Sequence, residues 1–210
     1  MLIGFTGYAK HGKDSSAAVL VNEYGFRRYA FADQLKSMAL SLNPIIRSYS
    51  FPKHPERLSA IVRLLGWDKA KEDQEVRRFL QVLGTEAVRG HLGENAWVDA
   101  LQQKLVDDNQ IWYSYHPSDG AIAQDARIAV TDVRFPNEAG WVTKMGGRMV
   151  RVVRVNEDGS PFDNGVGINH PSEQYIADLP VEDTITAYTL DDLHSGIREL
   201  VEKYGIRKAN

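Results

Sequence analysis

The chain has no cysteine, which excludes disulfides and thiolate metal sites and fits a reducing compartment. It also lacks any apolar run near the ~18 residues a membrane-spanning helix needs. The apolar N-terminal stretch is short and has no basic residue before it, so no signal peptide is expected. An excess of basic charge is missing too: 25 Lys and Arg stand against 28 Asp and Glu, for a net charge of −3. No global field therefore attracts nucleic acid or an anionic membrane, and any phosphate recognition must be local. Internal repeats and low-complexity tracts are absent. What remains is 210 residues, 43% of them hydrophobic. That suits a soluble, cytoplasmic, single α/β domain with an inserted substrate-binding subdomain and no separate second domain.

The most specific feature lies at the start. Leu2, Ile3 and Phe5 read as a short buried strand, Ser15 to Glu23 as a helix, and Gly7-Tyr8-Ala9-Lys10-His11-Gly12-Lys13 between them follows the spacing GxxxxGK. Glycines at both ends let successive backbone N–H groups curl around one cavity, and the helix N-terminus adds partial positive charge. Such a loop holds a polyphosphate, and Lys13 places a point charge on the transferred phosphoryl group. The position after Lys13, usually Ser or Thr, is Asp14, and hydroxyls follow at Ser15 and Ser16. Lys10, Gly12, Lys13, Asp14, Ser15 and Ser16 are the expected nucleotide-binding residues, with Ser15 a candidate magnesium ligand.

Further along, Phe26 to Phe31 reads as a second strand and Asp33 to Leu42 as a helix. The stretch from 41 to 56 is turn-rich and forms the hinge of an insertion. Apolar spacing then predicts helices: Leu58, Ile61, Val62 and Leu65 share one face, Phe79, Leu80, Val82 and Leu83 a second, and Trp97, Leu101 and Leu105 a third. The region 33–112 is thus expected to be a mostly helical insertion. Residues 114–126 read as an exposed connection. Arg127 to Asp132 reads as a buried parallel strand ending on a carboxylate, where α/β sheets bind ligands. A helix at Pro136–Met145, a strand at Arg148–Val155, a loop of lid length at 156–170, a short helix at Ser172–Ala177, a strand at Thr184–Tyr188 and a helix at Leu190–Tyr204 complete the pattern. The predicted fold is a three-layer P-loop kinase fold. Its central five-stranded parallel sheet starts strands near residues 2, 26, 127, 148 and 184.

Four segments, FADQLK at 31–36, RRFLQVLGTEAVRGHLGENAWV at 77–98, TDVRFPNEA at 131–139 and HPSEQYIAD at 170–178, stand in that order behind the GKDS loop. In this they resemble the deoxynucleoside monophosphate kinases encoded by bacteriophages, over nearly the whole chain. The resemblance implies transfer of the ATP γ-phosphoryl group to a 2′-deoxynucleoside 5′-monophosphate, with magnesium, in the host cytoplasm. The partners are then small molecules, not nucleic acid or membrane. The exposed insertion leaves room for a homodimer, although no heptad or isolated apolar stripe points to one. Two other classes remain open: a P-loop kinase acting on phosphomevalonate or dephospho-coenzyme A, and a P-loop ATPase acting as a switch.

Transfer between two nucleotides requires in-line positioning and charge neutralisation more than a general base. Lys13, Asp14 and Arg134 are accordingly the candidate catalytic residues. Asp132, at its strand end, would hold magnesium directly or through water, or else cap the following turn. Arg134 either clamps phosphate or pairs with Glu138 four residues on. Arg77, Gln81 and Thr85 recur at i+4 spacing, so one face of their helix looks like the acceptor wall, and either Arg77 or Arg78 points to it. Arg78, Gln81, Thr85, Glu86, Trp97, Asp33, Lys36 and His11 are the substrate-binding candidates. The plainer alternatives are a helix cap for Asp33, core packing for Trp97 and a solvated face for the rest. Of Arg148, Arg151 and Arg154, no single site can receive all three. Ser172 reads as a helix cap, and His170 has no assigned role.

Overall fold

The computed structural model describes residues 1–47, 56–112, 121–163 and 171–209. Two compact units emerge, one of residues 1–30 with 101–210 and one of residues 31–100.

In the first unit, β1 (Leu2–Thr6) is buried at every residue, as a strand covered on both faces must be. Helix α1 (Lys13–Tyr24) stops at Gly25, whose left-handed backbone (φ 69°) returns its N–H to the Leu20 carbonyl. This is the usual glycine ending of a helix. Strand β2 (Arg27–Tyr29) follows. It is shorter than the aromatic run suggests, because Phe31 is already the first residue of α2 (Phe31–Leu42). An aromatic side chain is buried equally well at a strand end or a helix start, so composition could not mark the change.

The second unit begins with α2. A two-residue antiparallel ladder follows, β3 (Ile45–Ile46) with β4 (Glu56–Arg57); much of the expected hinge, residues 48–55, lies outside the described residues. Helix α3 (Leu58–Ala70) is broken at Gly66, where φ 73° and ψ 165° leave helical space. In α4 (Gln74–Gln81), Asp73 caps the first turn through the N–H groups of Glu75 and Val76. It continues as a wider π-helical stretch, Val82–Arg89, and ends in the single turn α5 (Gly90–Leu92). Gly84 lies against Leu35 with so little room that a Cβ there would sit 3.1 Å from Leu35 Cδ2. Helix α6 (Ala96–Asp107) returns the chain to the first unit.

There, β5 (Ile111–Trp112) pairs antiparallel with β6 (Ala121–Ile122); residues 113–120 between them lie outside the described residues. The remaining elements are β7 (Ile128–Val130), α7 (Pro136–Lys144), β8 (Arg148–Arg154), α8 (Pro171–Gln174), β9 (Asp183–Ala187) and α9 (Leu190–Lys203). Thr189 and Asp192 exchange hydrogen bonds at the start of α9, a reciprocal capping box. The central sheet runs β2-β7-β1-β8-β9 with every pair parallel. The protein thus has the α/β class and the five-stranded parallel sheet the sequence predicts. Ile3, Phe5, Leu20, Val150, Val152, Ile197 and Val201 form the core between sheet and helices α1 and α9. Because β1 sits between β7 and β8, the loop after it opens where the connections diverge to opposite sides. Parallel sheets bind ligands at that crevice.

Candidate active site

The loop from Gly7 to Gly12 is shaped by two close approaches. At Gly7 (φ 144°) a Cβ would stand 2.4 Å from the Val152 carbonyl oxygen, and at Gly12 (φ 99°) 2.7 Å from Leu193 Cδ2. Only glycine accepts both the backbone angles and the neighbours. The loop is therefore seated on β8 and α9, and it delivers the chain into α1 at Lys13.

Lys13 is buried, 8% exposed. Its Nζ donates to the carbonyls of Gly7 at 2.7 Å and Tyr8 at 2.8 Å, so the ammonium lies back over its own loop. Burial, then the nearby Arg134 guanidinium, bring its pKa down to about 8, opposed by Asp14, Asp132 and Glu173. Asp132 and Arg134 follow β7 at the sheet's C-terminal edge, and their fields reach Lys13 from there. Ser16 Oγ donates to the Gly12 carbonyl at 3.0 Å, which commits it to the helix start, while Ser15 is half-buried on the same turn. Asp14 is turned to solvent, 3.5 Å from Arg28, and Lys10 is exposed with φ 64°.

His11 is a buried member of this loop. Its Nδ1 accepts from the Arg154 N–H at 3.2 Å, and its ring meets Tyr8 and Phe162 edge-on at 5.6 and 6.1 Å. Burial and the Lys13 charge lower its pKa, so near neutral pH it is an uncharged ring. It lines a cavity of about 420 Å³ with Tyr8, Arg154, Phe162 and Glu173.

The expected Arg134–Glu138 pairing takes a different form. Glu138 accepts from the backbone N–H groups of Arg134 and Phe135 at 2.8 and 3.1 Å, which caps α7. The guanidinium of Arg134 instead stands 4.0 Å from Glu173. The three β8 arginines separate as their spacing requires. Arg148 lies over the Tyr204 ring and Arg154 over the Phe162 ring, whereas Arg151 donates to the carbonyls of Ile176, Ala177 and Leu179. Of the lid-length loop 156–170, residues 164–170 lie outside the described residues, including His170; the described part folds back through a Val155–Pro161 bridge. The side chain of Ser172 is likewise outside them.

The second unit holds the remaining candidates. Asp33 and Lys36 pair at 3.4 Å on α2. Arg77 Nε is donated to the Lys71 carbonyl, and Arg78 pairs with Glu75 at 2.9 Å. Gln81 and Glu86 are exposed and Thr85 half-buried. The π-helical stretch breaks the i+4 rule on which one shared face was predicted: the N–H of Gly90 reaches back five residues to the Thr85 carbonyl. Trp97 is 5% exposed and donates its indole N–H to the Gly84 carbonyl at 2.9 Å. Its packing holds α6 against the π-helical stretch. Sequence reading passed over Glu173; the signal available was its place in the HPSEQYIAD block.

No group of three or more His, Asp or Glu side chains suited to a metal ion occurs among the described residues. Asp132 and Ser15 supply hard oxygen donors, and magnesium commonly takes one or two carboxylates with the rest of its shell from phosphate and water. The donor set fits that ion in the presence of a polyphosphate. No helix among the described residues is long and apolar enough to cross a membrane.

No family model matches the chain. A protein of Acanthamoeba polyphaga mimivirus named "Putative deoxynucleotide monophosphate kinase" is 24% identical over 204 residues, covering 96% of each chain. Among solved structures, TT1252 from Thermus thermophilus aligns over 97% of both chains at 16% identity with a TM-score of 0.44. Shikimate kinase from Bacteroides thetaiotaomicron aligns over 98% of both at 9% identity with a TM-score of 0.41. At these scores the structural likenesses add nothing to what the topology itself shows.

Proposed function

We propose that this protein is a phosphotransferase that moves the γ-phosphoryl group of ATP to a 2′-deoxynucleoside 5′-monophosphate. The observation that carries the reading is the buried Lys13 ammonium, folded onto a glycine-bounded loop at the crevice of a parallel sheet, with Arg134 and Asp132 acting on it from the neighbouring strand end. A fixed cation beside a helix N-terminus is what a loose, charge-spreading phosphoryl transition state requires. The name of the full-length mimivirus relative supports a kinase of nucleotide or small-molecule type, and the motif resemblance narrows the acceptor to a deoxynucleotide.

In this reading the loop from Gly7 and the start of α1, with Lys10, Gly12 and Ser15, hold the ATP phosphates, while Ser16, expected among them from the sequence, gives both its N–H and its hydroxyl to the Gly12 carbonyl and supports the turn. Lys13 and Arg134 neutralise the transferred group, and Asp14 keeps Arg28 at the edge of the loop. Asp132 and Ser15 would hold magnesium, which would supply positive charge to the polyphosphate. The acceptor-binding candidates of the second unit are Asp33, Lys36, Arg78, Gln81, Thr85 and Glu86, and that of the first is His11, an uncharged ring in the loop. Trp97, expected among them from the sequence, packs instead onto Gly84 of the π-helical stretch that carries Thr85 and Glu86.

The test is coupled ADP release with ATP and magnesium against the four deoxynucleoside monophosphates, their ribose counterparts and a no-acceptor control. Turnover that depends on a deoxynucleotide supports the reading. Turnover only with phosphomevalonate or dephospho-coenzyme A, added as further arms, replaces it with the small-molecule kinase. ADP release indifferent to acceptor replaces it with the switch ATPase.

A further inference from the structure

Two glutamates of the described residues are buried, Glu138 at 2% and Glu173 at 4% exposure. Glu138 is satisfied by backbone N–H groups. Glu173 is not: its ion-pair neighbour, Arg134 Nη1, stands at 4.0 Å, and its Oε2 is buried with no hydrogen-bond partner. A buried carboxylate left short of donors opposes folding, so something else must hold it in place. Helix α8 is only four residues long and cannot do so by itself.

The clamp comes from β8 and from the turn after β7. Arg151 donates one guanidinium nitrogen to the Ile176, Ala177 and Leu179 carbonyls at 3.2, 3.0 and 2.7 Å, and Ile176 and Leu179 are both buried. On the other side the Tyr175 ring packs on Phe135, next to Arg134, at 5.9 Å between centroids. These contacts seat Glu173 in the wall of the cavity beside His11, Arg154 and the loop, within reach of the charges on Lys13 and Arg134. Strain of this kind, kept by surrounding structure that over-determines it, gathers at functional sites.

We propose that Glu173 is a positioning residue for phosphoryl transfer, its buried carboxylate orienting the Arg134 guanidinium toward the phosphate loop before the polyphosphate arrives. The inference rests on the phosphotransferase reading and deepens it. An opposite charge fixed on one side of a half-buried guanidinium adds to what restrains its rotamers, so the ordering precedes binding. At 4.0 Å the carboxylate acts through its field and not through a paired fork of hydrogen bonds.

A double-mutant cycle with Glu173→Gln and Arg134→Ala tests this, with Glu173→Asp as the charge-conserving control. Glu173→Gln removes the charge at nearly constant shape. It should keep or raise the melting temperature while lowering kcat roughly tenfold or more, and Glu173→Asp should recover part of the loss. In the Arg134→Ala background the same change should lower kcat less than about twofold, because residues acting as a unit are not additive. Equal losses in both backgrounds would overturn the proposal. So would a Glu173→Gln protein of lower melting temperature and unchanged kcat, which marks a structural glutamate. Should the wild type turn over no monophosphate, the acceptor assignment fails separately, and the cycle is read on the dissociation constant for ATP, where additivity again overturns the coupling.

Discussion

Replacing Lys13 by Met should separate stability from activity, and the size of the effect follows from the burial of the ammonium. The pKa of Lys13 falls from 10.5 to about 8, first through desolvation and then through Arg134. With both states protonated below pH 8, the folded protein carries a penalty of about 3 kcal/mol for holding the charge, at 1.36 kcal/mol per unit. The two charged hydrogen bonds to loop carbonyls stand outside those causes and offset part of the penalty. Met fills the same channel without the charge, but leaves the Gly7 and Tyr8 carbonyls to be rehydrated. A net gain of about 1–3 kcal/mol is expected, which for a chain of this size raises the melting temperature by roughly 2–10 °C. Turnover should fall on the order of a hundredfold or more, as with the loss of other transition-state donors. The sign of the pH dependence is a second signature. Between about pH 8 and 10.5 the unfolded chain binds more protons at this lysine than the folded one, so wild-type stability gains a rising contribution over that window. The Met variant lacks it. Denaturant unfolding of both proteins at pH 7 and pH 9.5, with initial rates alongside, reads all three effects. A variant that is less stable by several degrees, or that turns over normally, would refute the account of Lys13 as a strained phosphate ligand.

The other expectations are shorter. Asp132→Asn should leave folding unchanged and raise the magnesium concentration for half-maximal rate several-fold; an unchanged magnesium titration would assign Asp132 to its turn alone. Gly7→Ala places a Cβ against the Val152 carbonyl at a φ of 144° and should destabilise by about 2 kcal/mol or more with loss of ATP binding; a normal melting temperature would show that the loop does not need glycine there. Trp97→Phe removes the indole N–H from the Gly84 carbonyl and should lower stability by about 1–2 kcal/mol without moving the acceptor KM. A tenfold rise in that KM would place the ring against the substrate.

Those outcomes bear on how far this chain could be read from its residues. The inner strands β1, β7 and β8 were legible as short apolar-rich runs, the pattern a parallel sheet buried on both faces demands, whereas the edge strands β2 and β9 carry exposed polar residues and show it less. The glycine-bounded loop was legible because its backbone geometry requires Gly7 and Gly12 at fixed positions. Lys13, Asp132 and Arg134 were expected together from the loop and the strand end, and the structure brings their charges near one another at that edge. Local pattern carried less in the second unit. The apolar spacing at Phe79, Leu80, Val82 and Leu83 reads equally as α-helix or as α-helix widening into a π-turn, and the difference rotates every residue beyond Val82. Counting four residues from Gln81 to Thr85 therefore does not establish a common face.

Glu173 shows the deeper limit, because its environment is assembled from distant parts of the chain. Apart from its place in the HPSEQYIAD block, nothing near Glu173 in sequence distinguishes it from Glu157 or Glu182. What makes it a buried carboxylate beside the phosphate loop is an arginine more than twenty residues earlier reaching the carbonyls that follow α8 and a guanidinium from the next strand but one in space. The same logic explains why the sequence presented Arg134 and Glu138 as a helix-surface pair. Spacing of four predicts that contact only if α7 has already begun at Arg134, whereas the helix starts at Pro136 and spends Glu138 on its own first turn. With Glu138 taken by the cap, Glu173 is the buried carboxylate that stands 4.0 Å from the Arg134 guanidinium. Local capping chemistry on α7 and long-range anchoring of α8 thus converge on one arginine, and the double-mutant cycle measures whether that convergence reaches the rate.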